Sequence, residues 1–237
     1  MTAIATLTMN PALDLATATE AVVPGDTLRC DAPRYDPGGG GGINVARAVC
    51  ILGGDAIAVF PAGGPTGLGL RRLLKRERVP HRAIPIAGQT RESFTVDAGR
   101  SGQPYRFVLP GPALDAHEQA RCIERLVSLV PPPRYVVASG SLPPGLPPDI
   151  VGCLAQRVRA LGARLILDTS GQALCAARGN GVYLVKPNLR ELRDLLGREI
   201  HGEAEEVAAA GELIGMGLSE VVVLSLGARG ALLVSAR

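Results

Sequence analysis

The sequence has no tryptophan and few aromatics of any kind, four tyrosines and three phenylalanines in 237 residues. Single-stranded nucleic acid is held by bases stacked on aromatic side chains set among basic ones, and that interleaving is missing here. The net charge of +3 is ordinary, so no nucleic-acid partner is expected. Lysine is nearly absent: Lys75 and Lys186 are the only two. No apolar run approaches the ~20 residues of a membrane span, and the N-terminus carries no basic, signal-like segment, so no membrane association is expected. The five cysteines (Cys30, Cys50, Cys122, Cys153 and Cys175) are odd in number, widely spaced and without a C-x-x-C. Neither a disulfide framework nor a structural metal follows, and the expected compartment is the reducing cytoplasm. No Walker-type G-x-x-x-x-G-K-[ST] occurs, and no G-x-G-x-x-G opens the first strand–helix unit, which weighs against a dinucleotide oxidoreductase.

Glycine is what the chain has in quantity. Five in a row, Gly38 to Gly42, lead into Ile43-Asn44-Val45-Ala46-Arg47-Ala48, an amphipathic helix pattern closed by Gly53-Gly54. Glycine loses more conformational entropy on ordering than any other residue, so the run is either a flexible loop or a place of close backbone approach. Asn44, an amide that both donates and accepts, stands where the run meets the helix and suits a hydroxyl-rich ligand. Asp14 follows the first apolar strand, Ala3–Met9, and a loop there would face the ligand edge of a parallel sheet; a turn or cap aspartate is the plainer alternative.

Strands and helices alternate along most of the chain, which predicts a mostly parallel sheet covered on both faces. Two β-prone excursions interrupt the alternation. The first runs from Thr17 through Val22-Val23 to Thr27–Cys30, around the turn Pro24-Gly25-Asp26. The second comprises Ser93–Val96 and Tyr105–Leu109 around Gly99-Arg100-Ser101-Gly102. Together they are expected to form a small β lid of residues 15–36 and 83–110. Residues 1–14, 37–82 and 111–237 would then make an αβα core.

Two helix starts are marked by capping boxes, Asp115 with Glu118 and Asn188 with Glu191. The second follows a buried strand in Lys186-Pro187-Asn188-Leu189-Arg190-Glu191. It is either a plain cap or a polar helix start facing a ligand crevice, where Asn188 and Glu191 could hold hydrated Mg²⁺ and Lys186 could approach phosphates. Ser225-Leu226-Gly227-Ala228-Arg229-Gly230 follows another strand. Its glycines would let a nucleotide approach the backbone, or would simply turn a tight hairpin.

The string Pro37 to Ala48, with Leu52-Gly53-Gly54, resembles the first signature of the phosphofructokinase-B branch of the ribokinase-like carbohydrate kinases. Thr6-Leu7-Thr8 to Asp14, Thr90-Arg91, Tyr105 to Gly111, Ser139 to Gly145, Lys186 to Glu191 and Ser225-Leu226-Gly227 follow in the family's order. The resemblance implies a three-layer αβα sandwich with a β lid that doubles as a homodimer interface, and ATP and Mg²⁺ as cofactors. By this likeness Asp14, Gly39, Gly40, Gly41, Asn44, Arg91 and Ser139 would bind the sugar phosphate. Lys186, Ser225, Gly227 and Gly230 would sit by ATP, and Asn188 and Glu191 would organise Mg²⁺ through water. Leu28-Arg29-Cys30 and the Tyr105–Gly111 string are most similar to the branch that phosphorylates fructose 6-phosphate. Fructose 1-phosphate and tagatose 6-phosphate kinases are the alternatives within the family.

The chain departs from the family pattern in three places. Its glycine run is longer by one, so a bulge is expected. Thr27 stands where the fructose 6-phosphate branch has lysine. The second signature, a G-A-G-D supplying an anion hole and a base, does not occur in the sequence. Losing a general base typically costs about 10²–10⁴-fold in rate. The 237 residues are therefore expected to be a C-terminally truncated kinase, inactive or severely impaired. A non-catalytic sugar-phosphate-binding or dimerising remnant is the competing class.

Overall fold

The computed structural model describes residues 3–99 and 103–236. Two sheets are present. The large one takes strands in the order β12-β11-β10-β9-β8-β1-β4-β5 and the small one in the order β3-β2-β6-β7. In chain order the large sheet uses β1 (Ile4–Leu7), β4 (Ala56–Ala62), β5 (His81–Pro85) and β8 (Tyr135–Ser139). It continues with β9 (Arg164–Asp168), β10 (Leu184–Val185), β11 (Val221–Ser225) and β12 (Ala231–Ser235). Every pairing is parallel except the last, β11 with β12.

Helices cover both faces, as the apolar runs of the buried strands demand. α1 (Gly41–Ile51) and α2 (Gly64–Arg76) pack one side, where Ile43, Phe60, Leu70 and Leu74 are fully buried. α3 (Ala116–Val127), α4 (Ile150–Ala160), α5 (Gly171–Cys175), α6 (Leu189–Leu196) and α7 (Gly202–Gly215) follow. Leu126, Leu154, Leu192 and Leu213 from these helices join the second, larger apolar cluster. Strand alternation divides the two cores: Leu7, Ile57 and Val59 face one, Ala56, Ala58 and Phe60 the other. Both expected capping boxes are formed, Asp115 with Glu118 at α3 and Asn188 with Glu191 at α6. Among the described residues no helix is long and apolar enough to cross a membrane.

The small sheet differs from its sequence expectation in both strands of the first excursion and in its bounds: residues 12–14 and 37–39 belong to it, Val22-Val23 is not a strand, and residues 83–85 belong to β5 of the large sheet. β2 spans Ala12–Thr19 and β3 spans Arg34–Gly39, while residues 20–33 contain no strand. Thr27–Cys30 is therefore not a strand; it runs beside β2 on isolated bonds, such as Thr19 Oγ1 to the Arg29 carbonyl at 3.1 Å. Arg34–Gly39 holds a proline and two glycines and pairs on one side only, and an edge strand tolerates such a composition. β6 (Arg91–Ala98) and β7 (Gln103–Val108) complete the sheet near their expected places. Of the turn expected between them, Arg100, Ser101 and Gly102 lie outside the described residues.

Register gives the sheet two unlike faces. Tyr35, Leu15, Phe94 and Phe107 form one cross-strand row, with the two phenylalanine rings 4.7 Å apart. The adjacent row, on the opposite face, holds Asp36, Asp14 and Ser93. A bulge does occur where the glycine run begins, but in the β2–β3 pairing rather than in a loop. Ala12 pairs with Gly39 but Asp14 with Asp36, so β3 spends one more residue than β2 over the same stretch.

Candidate active site

In the large sheet the chain moves from β1 outward through β4 to β5, then returns to β8 on the other side of β1. Such a reversal opens a crevice beyond the carboxyl ends of the two flanking strands, where open parallel sheets bind ligands. Asn10 to Asp14 lie just beyond β1, Ser139 ends β8 and Asp168 ends β9. Helix α1 begins at the same crevice.

The glycine run is not a loop. Gly38 and Gly39 end β3, Gly40 is the N-cap, and Gly41 and Gly42 are the first residues of α1. None of the five has a left-handed backbone, so conformational freedom is not what selects glycine here. Space is. A Cβ on Gly39 would overlap the Ala12 carbonyl, and one on Gly41 the Ser139 hydroxyl. A Cβ on Gly42 would lie 2.6 Å from Thr8 Oγ1, the hydroxyl that accepts the Ile43 amide at 3.0 Å. The run is a seam that brings α1 against β1, β2 and β8 at once.

Asp14 is in β2, not in a loop as expected. Its Oδ1 is buried and has no hydrogen-bond partner. Burial raises its pKa above the ordinary 3.8; Asp36 across the strand pair pushes the same way, against the pull of Arg106, Arg91 and Arg47. Arg91, at the start of β6, donates from Nε and Nη2 to the Asn10 carbonyl at 3.3 and 3.1 Å, and from Nη1 to the Leu109 carbonyl at 3.1 Å. Burial lowers its pKa, with Arg106 adding to the effect and Asp14 opposing it. Arg91 thus ties the end of β1 to the exit of the small sheet while placing positive charge beside Asp14. Asn44 is exposed on α1; its Nδ2 donates to the Gly38 carbonyl at 2.7 Å and its Oδ1 accepts from Arg47 at 3.1 Å.

On the other flank, Ser139 Oγ donates to Asp168 Oδ2 at 3.0 Å, and Lys186 Nζ lies 3.1 Å from Asp168 Oδ1. One carboxylate therefore joins the residue expected on the sugar side to the one expected near phosphate. Beyond Lys186, Asn188 Oδ1 accepts the Glu191 amide and Glu191 Oε2 accepts the Asn188 amide, both at 2.9 Å. The plain capping role is thus realised. It occupies one of the two Glu191 oxygens, and Glu191 also lines a cleft of about 310 Å³ with Ser170, Gly171, Arg190 and Asp194. Asn188 forms a parallel bridge to Ser225, whose amide donates to the Pro187 carbonyl at 2.9 Å. Ser225 to Gly230 turns a hairpin into β12: Gly227 (φ 61°) and Gly230 (φ 89°) need left-handed backbone there and have open space where a Cβ would be. The turn is anchored by Arg229, which grips the buried Glu206 of α7 at 2.5 and 3.2 Å.

Asp36, Arg47, Arg106 and Asp168 were not singled out from the sequence. Asp168 had a signal, as the last residue of a buried strand at the ligand edge. Asp36 and Arg106 had none, since only strand register brings them to Asp14.

The pfkB family carbohydrate kinases match residues 7–237. An ATP-dependent 6-phosphofructokinase isozyme 2 of Mycobacterium tuberculosis is 54% identical over 230 residues, 97% of this chain and 67% of that protein. The ATP-dependent 6-phosphofructokinase isozyme 2 of Escherichia coli K12 is 45% identical over 233 residues, 98% of this chain and 75% of its own length. The crystal structure of phosphofructokinase-2 from Escherichia coli in complex with fructose-6-phosphate superposes with a TM-score of 0.94 at 44% identity. That superposition covers 100% of this chain and 78% of that one.

Proposed function

The chain belongs to the pfkB family of carbohydrate kinases, and from that premise we propose that it takes fructose 6-phosphate on the Asp14 flank and Mg-ATP on the Lys186 flank. The reaction is ATP-dependent phosphorylation to fructose 1,6-bisphosphate. The observation that carries the sugar side is the buried, unpartnered Asp14 Oδ1. A buried acceptor without a donor is costly, and a sugar hydroxyl is the donor it lacks. Arg91 and Arg106 put positive charge beside it, suited to a sugar phosphate.

On the other flank Lys186 is the cation for the nucleotide phosphates. Glu191, with one oxygen in the helix cap, fits a water-mediated role toward Mg²⁺ through the other, an oxygen donor set of the kind Mg²⁺ prefers. When bound, Mg-ATP supplies the phosphoryl group and neutralises its charge, leaving the protein mainly to position the reactants. Asp168 holds Ser139 and Lys186 in fixed relation for that purpose.

The 237 residues contain no G-A-G-D and we assign no general base among them. A polypeptide of these residues is accordingly expected to bind fructose 6-phosphate but to turn it over at least about 10²-fold more slowly than a kinase with its base. A coupled ADP-release assay with Mg-ATP and fructose 6-phosphate checks this, and turnover above ~1 s⁻¹ would refute it. Fructose 1-phosphate and tagatose 6-phosphate are the competing sugars, to be ranked in the same assay or by competition binding. The second reading, a sugar-phosphate-binding module without turnover, rests on the same Asp14 observation and predicts sugar binding with hardly any ATP binding. A homodimer through the small sheet is part of the proposal: Tyr105, Phe107, Val108 and Leu109 leave an apolar margin exposed there.

A further inference from the structure

Arg47 is the most heavily committed side chain at the junction between the two sheets, and no sugar contact is assigned to it. Its guanidinium has five N–H donors, and the structure shows five bonds. Nε and Nη2 grip Glu77 at 2.7 and 2.8 Å, at the C-cap of α2. Nη1 and Nη2 reach the two Asp36 oxygens at 3.0 and 3.3 Å, on β3 of the small sheet. Nη1 also donates to Asn44 Oδ1 at 3.1 Å, one turn earlier on α1.

Both partners on the site side act on the same residue, through the two peptide groups that flank its Cα. Asp36 Oδ1 accepts the Gly38 amide at 2.7 Å, while Asn44 Nδ2 donates to the Gly38 carbonyl, also at 2.7 Å. Gly38 is therefore held from both ends by side chains that Arg47 orients. The next residue, Gly39, packs on the Ala12 carbonyl two positions before Asp14. We propose that Arg47 is the positioning residue for the sugar flank, fixing Gly38, Asn44 and the Asp36–Asp14 strand pair in one geometry and thereby setting the affinity for the sugar phosphate. This rests on the kinase reading of the Asp14 pocket.

The chemistry of the side chain makes the inference specific. Only a planar fork can meet two carboxylates and an amide in one arrangement; lysine supplies the charge but not the geometry. Arg47→Lys should therefore weaken fructose 6-phosphate binding by roughly tenfold or more, the scale of a lost bond to a charged group, measured by titration calorimetry at pH 7. Amide hydrogen exchange on the ligand-free protein should show Gly38 losing protection while the large-sheet amides keep theirs. Arg47→Gln separates charge from shape. The charged groups facing Asp14 are Asp36, Arg47, Arg91 and Arg106, so removing Arg47's charge should move the acid limb of sugar binding to higher pH, which the lysine variant should not do. Should either variant fold poorly, Glu77→Gln leaves α1 and β3 intact, and the same loss of Gly38 protection is expected in weaker form.

A folded Arg47→Lys chain that binds with unchanged affinity and keeps Gly38 protected would overturn the proposal. If the unaltered chain binds no fructose 6-phosphate, the kinase reading falls, and with it the effect on affinity. The exchange result then decides separately whether Arg47 holds the junction.

Discussion

The Asp14 carboxylate is held partly out of water with Oδ1 unpartnered, and burial is the main cause of its raised pKa. A carboxyl whose folded pKa exceeds its unfolded value binds more protons in the native state, so stability falls as pH rises from about 3.8 through the folded value. Ionised Asp14 therefore destabilises the ligand-free protein at neutral pH. Asp14→Asn should leave the thermal midpoint at pH 7 unchanged or higher by calorimetry, with the difference from the unaltered protein shrinking toward pH 4. A lowered midpoint at pH 7 would mean that Asp14 is structural. Cys122 gives a second residue-scale check. Burial pushes its thiol up to about 12, with Glu118 adding to the shift and Arg121 opposing it. Cys30, Cys153 and Cys175 are exposed. A thiol reagent at pH 8 should label those three first and leave Cys122 unmodified until the protein unfolds, as mass spectrometry can follow.

At the scale of elements, the glycine seam and the α6 start make opposite kinds of prediction. Gly41→Ala drives a methyl into the Ser139 hydroxyl, which is itself bonded to Asp168. Overpacking of this kind costs about 1–3 kcal/mol, and here it also displaces two site residues. Denaturant midpoint and sugar affinity should both fall; a fully stable variant with unchanged affinity would show that the seam can relax. Asn188→Ala removes one half of a capping box and should cost about 1 kcal/mol of stability in urea unfolding. The cap was legible in the sequence because its signal is local, two residues three apart that satisfy each other. The β2–β3 pair was not. Ala12–Thr19 has small residues in place of a bulky alternation, and Arg34–Gly39 looks like a breaker until its place at a sheet edge is known. The role of the glycines was half legible: a run of five signals constraint, but only the fold shows that the constraint is contact with Ala12, Thr8 and Ser139.

For the whole molecule, strand–helix alternation was enough to predict a parallel sheet between two helical layers, and the two β-prone excursions that interrupt it a small second sheet. The order of the strands, and so the crevice between β1 and β8, came from the structure. That crevice explains why residues as far apart in sequence as Asp14, Gly41, Ser139, Asp168 and Lys186 lie along one edge of the sheet, where the proposed site is. It also explains what the sequence could not give: Asp36, Arg47 and Arg106 enter the site through register and packing, with no motif of their own. On the proposed reading the molecule divides its work, with the small sheet and the glycine seam on the sugar flank and the ends of β9 to β11 on the phosphate flank. The most direct test is titration of fructose 6-phosphate into the 237-residue protein and into its folded Asp14→Asn variant at pH 7. Binding by the former, weakened by about tenfold or more in the latter without loss of thermal stability, is the predicted result. Equal affinity in the two proteins, or no binding to either, would contradict the assignment of this crevice as a sugar-phosphate site.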